Sequence, residues 1–85
     1  MTDSPDGSIP DYMAKSYAAV LRTRPGTVTR TTVAADIAGW DSMANVNLLL
    51  EIESIVGIRF KAAEVLILKD VGELVDLVER KLRAA

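Results

Sequence analysis

The sequence predicts an all-α fold, a small bundle of three main helices plus one short helix, with a long first loop. Apolar residues recur at helical spacing in three separate stretches, and a shorter stretch between the last two has room for one or two turns. The connection after the first stretch is long and has no period of its own. At 85 residues, the chain can build one hydrophobic core but not a second independent one.

Residues 1–8 are small, polar and rich in turn formers, and read as a flexible N-terminal lead to a single domain over 9–85. The first helix opens near Ile9 or Pro10. Pro10 suits a first turn, Asp11 complements the helix dipole, and Met13, Tyr17, Val20 and Leu21 share one side. Pro25-Gly26 is expected to end it. From Thr23 to Gly39 the chain carries five threonines and offers Val28, Val33 and Ile37 as anchors. Connections this long are uncommon, so either a short helical turn hides there or the loop wraps the core for a reason.

The second helix runs from about Ser42 to Val56, with Gly57 as its C-cap. At about 100° per residue, Leu48, Leu49, Ile52, Ile55 and Val56 form a core stripe. Met43, Val46 and Leu50 fall within about 60° of one another on nearly the opposite face, beside Asn47 and Ser54 and bordered by Glu51 and Glu53. This helix has two apolar sides. Ile58 and Phe60 follow in an extended stretch and point together into the core, and Lys61 to Leu66 supply the minor helix. Asp70 and Glu73 then resemble a capping box. They open a last helix whose stripe is Val71, Leu74, Val75, Leu77, Val78 and Leu82, with Arg80, Lys81 and Arg83 at its C-terminal end.

Composition excludes several functions. With 12 acids against 10 bases the net charge is −2, a field that does not favour nucleic acid. Cys and His are both absent, which removes disulfides, thiolate nucleophiles, the usual general base and the commonest zinc ligands. An unaided enzyme is therefore not expected. No apolar run is long enough to cross a bilayer, and Met1 to Pro10 is acidic and polar where a secretory signal would be basic then apolar, so the default location is cytoplasmic, without a membrane partner. Between Thr31 and Ile58 the charged residues are Asp36, Asp41, Glu51 and Glu53, acids without a base, which implies a basic partner surface if that segment faces outward.

Gly39-Trp40-Asp41-Ser42-Met43 joins the long loop to the doubly apolar helix. Here the sequence resembles the acyl carrier protein family. The resemblance rests on Asp41-Ser42 followed by an apolar residue, the spacing to Val46, Leu48 and Leu49, the stretch from Glu53 to Gly57-Ile58, and the closing amphipathic helix. It covers about Ala18 to Leu82. It implies that a phosphopantetheinyl transferase attaches a 4'-phosphopantetheine arm from coenzyme A to Ser42, that Asp41 assists the modification, and that acyl intermediates ride on the arm as thioesters. The residues agree with that role: a serine with no His nearby is a poor catalytic nucleophile, and a phosphodiester at a helix N-terminus meets unpaired amides and the positive end of the dipole. Either Asp41 or Ser42 also suits a plain N-cap.

For Met43, Val46 and Leu50, with Asn47, Glu51 and Glu53 around them, two readings stand. They form a stripe on which partner enzymes dock and which partly shelters an acyl chain, or a loop over Val28 to Ile37 covers them as ordinary core. Trp40 is expected to pack the loop onto the bundle, and Arg22, Arg24 and Arg30 to be a solvated cluster. Many carriers of fatty-acid synthesis have a strongly acidic helix after the serine, whereas Ala44, Asn45 and Asn47 stand here. With the basic first loop, this favours a polyketide or other specialised acyl pathway. Partners would be acyl-transferring, condensing or adenylating enzymes acting on a monomer. A peptidyl, aminoacyl or D-alanyl carrier is the alternative, and a non-covalent helical interaction module a second one.

Overall fold

The computed structural model describes residues 9–24 and 26–84. Among these the order is α1 (Asp11–Leu21), a short 3-10 helix (Ala34–Asp36), α2 (Ser42–Val56), α3 (Ala62–Leu66) and α4 (Val71–Ala84), with no strand. Residues 1–8, read as a flexible lead, lie outside the described residues. No described helix is long and apolar enough to cross a membrane.

The core forms where three stripes meet. Met13 and Tyr17 of α1, Leu48 and Ile52 of α2, and Val71, Val75 and Val78 of α4 are fully buried, with Val28 and Ile58 closing the cluster from the connections. Phe60 is partly buried against the same cluster. The core stripes are narrower than periodicity implies. Ile55 is exposed at the edge of its stripe, about 60° off the centre. Leu82 is exposed because it lies in the last turn of α4, where no residue after Val78 is buried.

Helix α1 stops earlier than Pro25-Gly26 would stop it. Pro10 is its N-cap rather than its first residue, its carbonyl accepting from the amides of Met13 and Ala14 at 3.1 Å. At the other end Arg22 turns left-handed, with φ 58°, and its amide closes on the Ala18 carbonyl at 3.0 Å. The chain must leave helical geometry by Arg24, since the residue before a proline is pushed out of the α region. Pro25 itself lies outside the described residues.

The long loop holds a short helical turn and also wraps the core. It is laced to the start of α4. The first amides of a helix have no partner within it, and here the loop supplies acceptors. The Val71 amide donates to the Thr32 carbonyl at 2.9 Å and the Gly72 amide to the Arg30 carbonyl at 2.7 Å. The third, Glu73, donates to the Asp70 carboxylate at 2.9 Å, while the Glu73 carboxylate reaches back to the Lys69 amide at 2.8 Å. Thr32 is buried, and its hydroxyl accepts from the Thr29 amide at 2.9 Å, which fixes the turn that presents both carbonyls. Arg30 is not a solvated cation. Its guanidinium spans 46 residues of sequence to bond both Asp76 carboxylate oxygens at 3.0 Å, and both side chains are partly shielded.

Gly72 permits this approach. A Cβ built there lies 2.9 Å from the Arg30 carbonyl oxygen and 3.2 Å from the Arg30 Cβ. Replacing Gly by Ala inside a helix normally gains about 1 kcal/mol, but forcing backbone apart in a packed site costs about 1–3 kcal/mol. Gly72→Ala should thus lose about 1 kcal/mol net and Gly72→Val clearly more, read from urea unfolding; a stabilised Gly72→Ala would show that the loop is not held by this contact.

Helix α3 has no fully buried residue and is held at one end by an ion pair, Lys81 Nζ to Glu64 Oε1 at 2.8 Å. The Lys81 ammonium, with the Lys61 amide donating at 2.8 Å, holds the Glu64 carboxyl below its usual range. A depressed carboxyl stabilises the fold fully above its unfolded pKa, and loses that effect as pH falls through the folded value. Wild type should therefore melt above Glu64→Gln at neutral pH, with the gap closing on acidification; a gap independent of pH would refute the linkage.

Candidate functional site

The loop's attachment to α4 aims its last residues at the start of α2. Gly39, with φ 83°, turns the chain, and Trp40 then lays its ring edge-on to Tyr17, centroids 5.1 Å apart at 82°. Such a pair adds about 0.5–1.5 kcal/mol beyond its buried area. The indole Nε1 donates to Asn45 Oδ1 at 3.0 Å, so Trp40 ties loop, α1 and α2 together.

Asp41 is the N-cap of α2, with its carboxylate accepting from the Ala44 amide at 2.9 Å and its carbonyl from the Asn45 amide at 2.9 Å. Ser42 is the first helical residue, exposed, and its hydroxyl makes no hydrogen bond among the described residues. Of the two candidates for the cap, Asp41 takes the role and Ser42 is left available. The amides of Ser42 and Met43 have no intrahelical acceptor, and α2 directs its positive dipole end there.

Helix α2 then splits into three faces. Leu48 and Ile52 are buried. Met43, Val46 and Leu50 are 71%, 52% and 56% exposed, so no loop covers them and they are not core. Asn47 is exposed beside them, and Glu51 is half-buried at the border. Glu53, on the other border, gives one carboxylate oxygen to the Phe60 amide at 2.7 Å and so pins the α2–α3 connection. Three of the four acids between Thr31 and Ile58 have such backbone tasks, since Asp36 likewise accepts from the Val33 amide at 2.9 Å. These bonds fix them in place.

The third face was missed in the sequence. Ser42, Asn45 and Leu49 repeat the i, i+3, i+7 spacing one residue out of phase with the exposed set, and together they line a cleft of about 420 Å³. Tyr17 and Trp40 line it too, as do Val65 of α3 and Leu68 after it. The cleft therefore opens beside Ser42 on a different side of α2 from Met43, Val46 and Leu50. Counting from Ser42 instead of from Met43 would have picked out Asn45 and Leu49, but the opposing wall depends on how α3 seats.

Among solved structures, the chain is similar to the holo acyl carrier protein of Geobacter metallireducens, determined by solution NMR. The two share 36% identity at a TM-score of 0.79, over 87% of this chain and 85% of that one. The chain belongs to the acyl carrier protein family. No family model matches it, and none of the curated proteins does. Membership makes the molecule a non-catalytic carrier that other enzymes act upon, with the four-helix arrangement of the family.

Capping and chemistry at Asp41 can be separated. Asp41→Ala should cost about 1 kcal/mol in chemical denaturation, whereas Asp41→Asn, an equally good cap, should cost little. Equal losses in both variants would mean that the carboxylate charge rather than the cap holds the start of α2.

Proposed function

We propose that Ser42 is the attachment point of a 4'-phosphopantetheine arm and that the protein carries acyl intermediates of a polyketide or other specialised acyl pathway. The observation that supports this is the exposed, unbonded hydroxyl of Ser42 at the first position of α2, on the lip of a cleft large enough to receive part of an acyl chain. The site fits the group. Ser42 Oγ would hold the phosphodiester, whose anionic oxygens would meet the unpaired amides and the dipole of a fifteen-residue helix. The thiol of the bound arm carries the cargo as a thioester. With no His in the sequence to activate it, Ser42 acts as a tether, and Asp41 assists the modifying enzyme from the adjacent cap.

Partner enzymes read the exposed face of α2. Met43, Val46 and Leu50 form an apolar set that an acceptor groove can take in, with Asn47 alongside. Glu51 and the second carboxylate oxygen of Glu53 border it for a basic rim. With few acids after the serine, recognition leans on apolar fit more than on charge, which favours specialised synthesis over bulk fatty-acid synthesis. The partners are a phosphopantetheinyl transferase and acyl-transferring, condensing or adenylating enzymes, meeting the carrier as a cytoplasmic monomer.

Incubation with coenzyme A and a broad-specificity phosphopantetheinyl transferase should add one arm to the intact mass, and Ser42→Ala, at an exposed position with little effect on folding, should abolish it. An unchanged mass of the wild-type chain would refute the assignment. Loading of the product by an acyltransferase rather than by adenylating enzymes is the expected behaviour of an acyl carrier.

A further inference from the structure

The residues lining the cleft beside Ser42 include two acids, Asp41 and Asp70, and one base, Lys69. Each acid is held by the helix start it caps: Asp41 Oδ1 accepts from the Ala44 amide and Asp70 Oδ1 from the Glu73 amide, both at 2.9 Å. The base is not held. Lys69 is exposed, and among the described residues its ammonium makes no ion pair and no hydrogen bond. Its backbone amide, by contrast, donates to the Glu73 carboxylate at 2.8 Å. The root of the residue is thus fixed between α3 and α4, while a flexible four-carbon stem can carry the charge across the cleft.

We infer that Lys69 is a positioning residue for the arm: its ammonium pairs with the phosphodiester on Ser42 Oγ and lays the first part of the arm across the cleft instead of leaving it in water. This rests on the reading of Ser42 as the attachment point. An arm on Ser42 adds a third negative charge to a cleft already lined by Asp41 and Asp70, and Lys69 is the one full positive charge among the lining residues. The start of α4 cannot take that part, since the Val71 and Gly72 amides are bonded to loop carbonyls and the Glu73 amide to Asp70. Asn45 has its amide oxygen committed to the Trp40 indole and offers only neutral donors. The phosphodiester is the anion that every arm-bearing molecule places beside Ser42, whereas a carboxylate on a cargo would ride at the far end of the arm. A solvent-exposed pair of this kind is modest and screened by salt, and biases the arm toward the cleft by roughly 1.5- to fivefold. That suits an arm which must also swing out to partner enzymes.

The test uses the full chain bearing the unloaded arm, whose one ionised group at neutral pH is the phosphodiester. Cross-peaks between the geminal methyls of the arm and the Trp40 indole and Leu68 methyl protons report the arm over the cleft, and the phosphorus resonance reports the pair itself. Lys69→Met keeps the stem and removes the charge, while Lys69→Arg keeps the charge. The expected result is that the wild-type cross-peaks weaken by roughly 1.5- to fivefold in Lys69→Met and in about 1 M salt, with the phosphorus resonance moving alongside, and survive in Lys69→Arg. Without the arm, Lys69→Met should melt close to wild type, because the ammonium has no partner to lose. Wild-type cross-peaks that are absent, or that ignore both salt and Lys69→Met, would overturn the inference while leaving the tether intact, as would an equal loss in Lys69→Arg. An arm that attaches to wild type but not to Lys69→Met would assign the lysine to the transferase contact and overturn it as well. Failure to attach any arm to the wild-type chain would instead strike the Ser42 assignment.

Discussion

The meeting of the Gly72 amide with the Arg30 carbonyl is the constraint on which the rest of the molecule depends. It occurs because α4 has amides without intrahelical acceptors at its start and because residue 72 has no side chain to hold the loop away. Val71 and Thr32 repeat the bond one step along, and Arg30 adds its bonds to Asp76. A connection of seventeen residues between Thr23 and Gly39, which would otherwise be the loosest part of the fold, is thereby given one course over the core. Trp40, Asp41 and Ser42 inherit their positions from it.

Helix α2 answers three demands with one period. Its buried residues hold the bundle, its exposed apolar residues face outward, and the row from Ser42 through Leu49 lines the cleft. A helix between core and solvent would ordinarily be polar on its outer side. Leaving Met43, Val46 and Leu50 in water is a standing cost in solubility. The acids around it carry structural duties as well as charge, so a change at Glu53 or Asp36 alters local backbone geometry along with the field.

Much of this architecture was legible in the chain because it is local. The limits of α2 follow from a capping acid and a glycine in left-handed geometry, and the start of α4 from Asp70 and Glu73, all features set within a few residues. The grouping of Met43, Val46 and Leu50 is likewise a matter of counting along one helix, whereas their exposure depends on the course of the loop and was left open between docking stripe and covered core. What was not legible is long-range. The early end of α1 turns on Arg22 accepting a conformation usually left to glycine, and the anchoring of Arg30 on Asp76 joins positions 46 residues apart. The cleft was missed for the same reason, since Ser42, Asn45 and Leu49 define a face only once Val65 and Leu68 stand opposite. Gly72 had no sequence signal beyond being a glycine near the start of a helix.

The place of Trp40 has a further consequence. The chain contains one tryptophan, and its ring meets the buried tyrosine, bonds Asn45 and lines the cleft at once. Its emission is therefore a built-in optical gauge of the site, needing no attached dye: wavelength follows how dry the cleft is, and quenching by added solutes follows how open it stands.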